Sequence, residues 1–321
     1  MKYYVGVDGG GSKTQFAICD EEGRINARCK LSGGSYVEIG VQALAETLMK
    51  GLETLCPEAE RSNIAGICFG MPAYTEYPKT DEIMAKEISR AVSPLPICFQ
   101  NDVAAACAGA LALQSGITIL SGTGSMAFGR DRQGGTHRCG GWSEFFSDEG
   151  SCYWLGKKTL ELFYKQADGR LAKGKLYEII REHFSLVDDL DILDRLIKMN
   201  YARKEIAALQ IQLENAALAG DESARELYAE AAEELGLMIR GLAGKMDMAP
   251  SSPISYAGGL FNAGELILEP LRRAISGLEM PLIKPLLTPV EGALLLAADH
   301  FSPTTLSSIK QGLLDNRIMN G

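Results

Sequence analysis

The chain has 321 residues, of which 46% are hydrophobic, enough for two packed domains or one large one. Its net charge of −9 argues against a broad nucleic-acid surface. The eight cysteines include no C-x-x-C pair and no metal-type grouping with the three histidines, which predicts reduced thiols in a cytoplasmic protein. No apolar run approaches the length of a membrane span, and the amino-terminal residues are typical of a strand rather than a signal peptide.

The opening residues predict a strand, a glycine turn and a second strand. Tyr, Val and Ile flank the run Gly9–Gly11, and they favour strands, while glycines leave the backbone amides of a turn open to a phosphate. Asp8 stands at the mouth of this turn, where a carboxylate suits Mg²⁺ or its waters. The spacing matches neither a Walker A loop nor a Rossmann fingerprint. An ordinary hairpin turn with a solvated Asp8 is the alternative.

The rest of the first half alternates helices with strands. After a meander of three strands over 3–31, the apolar spacing predicts a mixed sheet flanked by helices. The predicted helices are 40–56, 80–92 and 103–113, and the predicted strands are 64–70 and 96–100.

The second half begins with the same design. Residues 116–129 predict a strand, a glycine and hydroxyl turn at Ser121–Ser125, and a second strand. Two such turns are typical of actin/sugar-kinase/Hsp70-like ATPases, in which two like domains face a cleft that holds the nucleotide. A hydrophilic hairpin is the alternative for the second turn. The remaining predictions are loops over 130–150, helices over 152–248, a strand at 254–260, a helix at 263–277, a short strand at 281–287, and helices from Pro289 and over 303–316.

Several polar residues stand after predicted strands or before predicted helices. Asp102 lies where a strand ends and a helix begins, a usual place for a catalytic base, although Asn101 or Asp102 would also cap the helix. Asp148 suits sugar hydroxyls or, alternatively, a helix amino terminus. Trp142 stacks on a sugar or fills the core, and core packing is the commoner use of a lone Trp. Gly258-Gly259 lets backbone approach an adenosine or, alternatively, enters a helix.

Together these motifs resemble the BadF/BadG/BcrA/BcrD ATPase family, and within it the N-acetylglucosamine kinases. The resemblance covers about residues 3–300 and is carried by Val5–Thr14, Asn101-Asp102, Leu120–Ser125, Cys139–Trp142 and Asp148–Ser151. It implies an α/β, two-domain actin-like fold of duplicated ribonuclease H-like domains with the nucleotide in the cleft between them. The expected domains are 1–114, joined by the terminal helix 303–321, and 115–302 with a helical insertion at about 155–250. The implied cofactors are ATP and Mg²⁺, and the implied reaction is phosphorylation of the 6-hydroxyl of an amino sugar, most closely N-acetylglucosamine, or of a related hexose.

Residue by residue, the resemblance implies that Asp102 is the catalytic base. The phosphate and adenosine positions are Gly10, Gly11, Ser12, Lys13, Thr14, Gly122, Thr123, Gly124, Gly258 and Gly259, with Asp8 at the metal. The sugar positions are Ser35, Asn101, Asp102, Thr123, Gly141, Trp142 and Asp148. Two positions depart from the kinases: Ser35 replaces an asparagine, and Gly70-Met71 replaces small hydroxyl residues.

The same family contains activator ATPases that hold an iron–sulfur cluster between two subunits, and such a regulatory ATPase is the alternative function. Only Cys139 and Cys152 lie in the corresponding glycine-rich region, and Cys139 belongs to a stretch that kinases share. A degenerate sensor of sugar or nucleotide is a third possibility, disfavoured by the intact Asp8, Asp102 and both turns. The expected partner is a small-molecule sugar, with neither nucleic acid nor membrane. A homodimer is compatible with the family.

Overall fold

The structure is a computed structural model that describes residues 1–11, 13–249 and 251–320, with side chains as far as residue 317. The chain forms two compact units. Unit 1 consists of Met1–Ser115 together with the chain from Lys284 onward, and unit 2 is the continuous segment Gly116–Ile283. The expected second domain extended to residue 302, and the structure differs there, because the segment from Lys284 packs with unit 1.

The sheet of unit 1 has the strand order β3-β2-β1-β4-β5. Its first three strands form an antiparallel meander, and β4 and β5 run parallel to β1. Gly9 pairs with Thr14, so the predicted glycine turn closes the first hairpin. The strands are β1 (Tyr3–Gly9), β2 (Lys13–Asp20), β3 (Ile25–Ser32), β4 (Ile64–Met71) and β5 (Ile97–Asn101).

Helices cover both faces of this sheet, since side chains alternate between two cores. Val5 and Val7 of β1 face the core formed with α2 (Val41–Leu55) and α3 (Pro78–Val92). Tyr4 faces the core formed with α12 (Pro289–Phe301) and α13 (Leu306–Asn320). The helices of unit 1 are α1 (Tyr36–Ile39), α2 (Val41–Leu55), α3 (Pro78–Val92), α4 (Asp102–Leu111), α12 (Pro289–Phe301) and α13 (Leu306–Asn320), with a short 3-10 helix at Glu58–Asn63.

Helix α12 explains why the last part of the chain belongs to unit 1. It begins with a capping box in which Thr288 and Glu291 satisfy each other's backbone amides. A Cβ added at Gly292 would lie 2.0 Å from the Ala105 carbonyl oxygen, so only glycine lets α12 approach α4 this closely. The helix also packs on the central strand β1 and thus fills the core that Tyr4 faces.

The sheet of unit 2 repeats the topology of unit 1 without the fifth strand, in the order β8-β7-β6-β9. Its antiparallel meander and its parallel fourth strand confirm the predicted internal repeat. The strands are β6 (Gly116–Ser121), β7 (Ser125–Arg130), β8 (Thr136–Gly140) and β9 (Ile254–Ala257). Strand β8 lies in the predicted loop region 130–150, because its residues are mostly exposed and lack an apolar pattern. The strand expected at 281–287 is reduced to a single bridge between Leu282 and Ile254.

Unit 2 is otherwise helical, as predicted for 152–248. Its helices pack into one core with β6 and β7. They are α5 (Cys152–Ala167), α6 (Lys175–Phe184), α7 (Asp191–Lys198), α8 (Arg203–Ala208), α9 (Gln210–Leu218), α10 (Glu222–Ala243) and α11 (Glu265–Ala274), with a 3-10 turn at Gly259–Ala263. Among the described residues, no helix has the length and apolar character that crossing a membrane requires.

Candidate active site

Two carboxylates lie at the carboxyl edge of the unit 1 sheet. Asp8 is near the end of β1 and pairs with Gly70 of β4, while Asp102 comes after β5 as the first residue of α4. A Cβ added at Gly70 would lie 3.7 Å from the Asp102 Cα and 3.0 Å from the Ala105 Cβ. A larger residue at position 70 would therefore crowd the start of α4. The parallel strands bring the two acids to one edge of the sheet, as their positions at the carboxyl ends of β1 and β5 predict.

Both carboxylates favour the protonated form more than an ordinary Asp does. Burial raises the pKa of Asp102 to about 7, and the nearby carboxylate of Asp8 contributes to the rise. Burial likewise raises the pKa of Asp8 to about 6, against the opposing effects of a 3.4 Å hydrogen bond from Gln15 Nε2 and the charge of Lys13. Groups with pKa values near neutrality exchange a proton readily, so this pair suits a general base or a cation site.

The sequence offers both Asn101 and Asp102 as caps of α4, and in the structure Asn101 is the cap. Its side-chain oxygen accepts from Val103 N at 3.0 Å, and its Nδ2 donates to the Tyr74 carbonyl at 2.7 Å. The Asp102 carboxylate accepts a second bond from Val103 N, at 2.9 Å, through Oδ1. This bond does not engage Oδ2.

The first glycine turn is compact and tied to the loop that carries Ser35. Gly10 N donates to the Lys13 carbonyl at 2.9 Å, and Gly34 N donates to the Gly10 carbonyl at 3.1 Å. Gly11 and Lys13 are exposed, whereas Thr14 is buried, and Ser12 lies outside the described residues. Ser35 is committed to a local bond, because its hydroxyl accepts from Val37 N at 3.3 Å to cap α1.

The second turn in unit 2 is held against the acidic loop 148–150. Gly122 N donates to the Gly124 carbonyl at 2.9 Å, and this closes the turn. The hydroxyl of Ser121 donates to the Gly150 carbonyl at 2.8 Å, and that of Ser125 donates to the Glu149 carbonyl at 2.6 Å. These bonds use two of the turn's three hydroxyls for structure and leave the exposed Thr123 open to a ligand.

Asp148 is a buried carboxylate rather than a helix cap. Ser151 caps α5 instead, by accepting from Trp154 N at 3.1 Å, so the capping alternative for Asp148 is wrong. Asp148 is 4% exposed, and its Oδ1 accepts from Ser125 N at 3.1 Å while its Oδ2 pairs with Arg203. Burial raises its pKa, and the Ser125 amide and Arg203 oppose that shift. No pattern in the sequence predicts Arg203, which reaches Asp148 from 55 residues away.

The Trp142 residue is 72% exposed, so the alternative that it packs in the core is wrong. The ring lies beneath the Arg138 guanidinium, 5.5 Å from the ring centroid. The preceding Gly141 has a φ of 68°, a left-handed conformation that favours glycine. An exposed indole offers a flat apolar surface on which a sugar face can stack.

A cavity of about 520 Å³ opens beside the second turn. One side is formed by Gly122, Thr123 and Gly259, and the opposite side by α8 and α9. Gly258 lines the turn rather than the cavity: its φ is 111°, and an added Cβ would lie 2.2 Å from the Ser121 carbonyl oxygen. Nothing lies within 4 Å of a Cβ added at Gly259, so its backbone is open to a ligand. The volume and the unobstructed backbone at Gly259 fit a nucleoside with a phosphate tail.

The donor set of unit 1 suits magnesium. Asp8 and Asp102 offer carboxylate oxygens, the ligands that Mg²⁺ prefers. Within the described ranges, no group of three or more His, Cys, Asp or Glu side chains is placed to hold a metal by itself. A site of one or two carboxylates, completed by phosphate oxygens and water, is the usual mode for Mg²⁺ bound with a nucleotide.

The two cysteines of the glycine-rich region, Cys139 and Cys152, are not arranged as exposed ligands for an iron–sulfur cluster. Cys152 is the first residue of α5, is buried, and directs its thiol towards Gln210 Oε1 at 3.8 Å. Cys139 is half-buried on β8. Burial also raises the pKa of the Cys152 thiol to about 11, which disfavours the thiolate that iron would require.

Two sheets of one topology, each with a glycine turn after its first strand, define an actin-like ATPase. The sequence model of the BadF/BadG/BcrA/BcrD ATPase family matches residues 5–297. The chain belongs to this family, which confirms the resemblance seen in its motifs.

Relatives and solved structures agree with this assignment. The chain is 28% identical over 291 residues to an N-acetylmuramic acid/N-acetylglucosamine kinase of Clostridium acetobutylicum, covering 88% of this chain and 93% of the relative. It is 25% identical to an N-acetyl-D-glucosamine kinase of Dictyostelium discoideum over 272 residues, 80% of this chain and 84% of the relative. The crystal structure of a proposed N-acetylglucosamine kinase of Chromobacterium violaceum superposes with a TM-score of 0.74 at 24% identity, over 92% of this chain and 99% of that one. This likeness confirms the predicted fold class.

Proposed function

We propose that the protein is an ATP-dependent amino-sugar kinase that transfers the γ-phosphate to the 6-hydroxyl of N-acetylglucosamine or a close relative of that sugar. The observation that carries this proposal is the pair of carboxylates, Asp8 and Asp102, with pKa values of about 6 and about 7 beside a glycine turn. Phosphoryl transfer to an alcohol requires a proton acceptor and a site for the phosphate charge. The activities of the related kinases support the choice of an amino sugar.

Asp102 is the proposed general base. As the sugar oxygen forms its bond to the γ-phosphorus, the bond from that phosphorus to the β–γ bridging oxygen breaks, and ADP leaves with the electron pair. The hydroxyl proton passes to Asp102 Oδ2, the oxygen not engaged by Val103 N. Asn101 keeps α4 capped while this happens and therefore holds the carboxylate in place. Ser35 and Asn101 are further proposed sugar contacts.

Asp8 is the proposed metal ligand. Bound Mg²⁺ would supply positive charge to the phosphates and would also lower the pKa of both acids. Gly10, Gly11 and Lys13 are the proposed phosphate contacts at the first turn. The Gly10 amide already donates to the Lys13 carbonyl, so the Gly11 amide and the charge of Lys13 would make the direct contacts. Ser12 and Thr14 are predicted for the same role, and burial of Thr14 favours its backbone over its side chain there.

Unit 2 is the proposed source of nucleotide and sugar contacts. The cavity beside Gly122, Thr123 and Gly259 suits the adenosine, with Gly124 and Gly258 shaping the turns around it. The exposed ring of Trp142, after Gly141, would cover a sugar face, and Asp148 would accept sugar hydroxyls. Eight free thiols, distributed over both units, fit a cytoplasmic enzyme.

The test is ADP release from Mg-ATP with a panel of acceptors: N-acetylglucosamine, N-acetylmuramic acid, glucosamine, N-acetylmannosamine, glucose and no sugar. Stimulation of at least about 100-fold by one amino sugar is expected, since a bound hydroxyl must outcompete water for the γ-phosphate. Mass and NMR analysis of the product identifies the hydroxyl. A slow rate that no sugar changes would reject the kinase and favour the activator ATPase.

A further inference from the structure

One arginine of the helical insertion is fixed against the proposed sugar site. Arg203 is the first residue of α8, and its Nη2 forms an ion pair with Asp148 Oδ2. Its Nη1 lies 3.7 Å from Glu144 Oε2, and its guanidinium carbon lies 5.7 Å from the ring centroid of Tyr153. Two carboxylates and an aromatic face therefore hold the guanidinium, which restricts its orientation far more than a solvated arginine's.

The ion pair fixes a carboxylate that would otherwise have little support. Asp148 has a left-handed φ of 64°, a conformation that aspartate adopts more readily than most residues but that still costs free energy and is held by its surroundings. Ser125 N binds one carboxylate oxygen and Arg203 binds the other. With both oxygens engaged, the plane of the carboxylate is set, and its remaining lone pairs point in defined directions.

The second turn is shaped to admit this pair. A Cβ added at Gly124 would lie 2.9 Å from Arg203 Nη2 and 2.9 Å from Asp148 Oδ1. The glycine predicted for phosphate binding thus also provides the space in which the ion pair forms. Arg203 Nε is buried and has no acceptor among the described residues, so the guanidinium still has a donor to offer.

We propose that Arg203 is a positioning residue, which holds the Asp148 carboxylate ionised and oriented to accept the hydroxyls of the sugar. This inference rests on the proposed function. A buried carboxyl without a cation favours its neutral form, which accepts weaker hydrogen bonds than a carboxylate does. Arg203 acts on sugar binding through Asp148 and takes no part in the transfer itself.

The experiment compares Arg203→Gln and Arg203→Lys with a matched control, Arg170→Gln. Arg170 also pairs with an aspartate, Asp168, and lies 5.2 Å from the ring centroid of Tyr164, but it does so at an exposed site. We expect Arg203→Gln to raise the KM for the sugar roughly 10- to 100-fold with less than about a threefold change in kcat, as for lost hydrogen bonds to a charged group. Arg203→Lys should recover part of this loss, because lysine keeps the charge but lacks the planar fork. Arg170→Gln should match the wild type.

A double-mutant cycle separates positioning from a general structural effect. In an Asp148→Ala background, Arg203→Gln should raise the KM for the sugar less than about twofold further, since its partner is already gone. Additive losses, or an unchanged KM in Arg203→Gln alone, would overturn the proposal. Calorimetric titration of the sugar gives the same comparison without turnover. A wild-type protein that binds no amino sugar would instead contradict the proposed function.

Discussion

Replacing Asp102 with asparagine separates the catalytic proton acceptor from the structural role of its neighbour. Asparagine has nearly the same shape and can accept the Val103 amide bond, but it cannot take a proton. We expect kcat to fall about 10²- to 10⁴-fold, the usual contribution of a general base, with little change in the KM of sugar or ATP. Steady-state ADP release measures both constants. A kcat within about threefold of the wild type would refute the assignment of the base.

The same substitution should stabilise the protein at neutral pH. The pKa of Asp102 is raised from 3.8 to about 7, so the folded state holds the proton more tightly than the unfolded state does. The stability from this group is full below pH 3.8 and is lost as the pH rises to about 7. Well inside that window, each rise of one pH unit lowers the free energy of unfolding by about 1.4 kcal/mol, and near its upper end the decrease is smaller. Between about pH 5 and about pH 7, the wild type should therefore lose about 2 kcal/mol that Asp102→Asn keeps.

Urea unfolding without divalent metal, monitored by circular dichroism at the two pH values, measures this difference. The free energy of unfolding of Asp102→Asn relative to the wild type should rise by about 2 kcal/mol from the lower pH to the higher. Asn101→Ala is the control: loss of the cap should cost about 1 kcal/mol at both pH values. Parallel pH profiles for wild type and Asp102→Asn would show that Asp102 ionises normally in the folded protein, which would contradict the effect assigned to its burial.

Three further expectations concern single residues. Asp8→Asn should raise the Mg²⁺ concentration needed for half-maximal ADP release at least about 10-fold, and an unchanged requirement would remove Asp8 from the metal site. Gly258→Ala should lower the free energy of unfolding by about 2 kcal/mol or more, because its φ is 111° and the new Cβ would meet the Ser121 carbonyl, whereas Gly259→Ala should leave stability nearly unchanged. Trp142→Ala should raise the sugar KM about 10-fold while the melting temperature stays within about 1 °C of the wild type, because the ring is exposed. A drop in melting temperature would instead mean that the indole supports the fold.

The elements that could be predicted from the sequence are those whose signal is local. A glycine turn between two paired strands is recognised from a few adjacent residues, and so is an acid at the end of an apolar strand. The positions of Asp8, Asp102 and both turns could therefore be predicted. The pairing of Arg203 with Asp148 could not, because a contact across 55 residues leaves no periodic pattern. Composition rules also misjudged Trp142, since they describe the burial of most tryptophans rather than that of any one residue.

The position of α12 was also beyond the reach of the sequence. Its apolar spacing predicts a helix but does not tell which sheet the helix covers. That choice depends on a close approach at Gly292, where the absence of a side chain lets the helix meet α4. The close fit between α12 and α4 depends on both segments, which are far apart in the chain, so neither segment's sequence predicts it alone.

The interrupted course of unit 1 has a consequence for how the protein is made. A ribosome completes all of unit 2 when it has passed Ile283, but at that moment β1 still lacks the helix that covers one of its faces. Helix α12 packs on the strand that contains Asp8 and on the helix that begins with Asp102. It is synthesised after every other described helix except α13. Termination between Ile283 and α12 would therefore leave a complete unit 2 joined to an incomplete unit 1. Quality control by proteases would then fall on the amino-terminal half first.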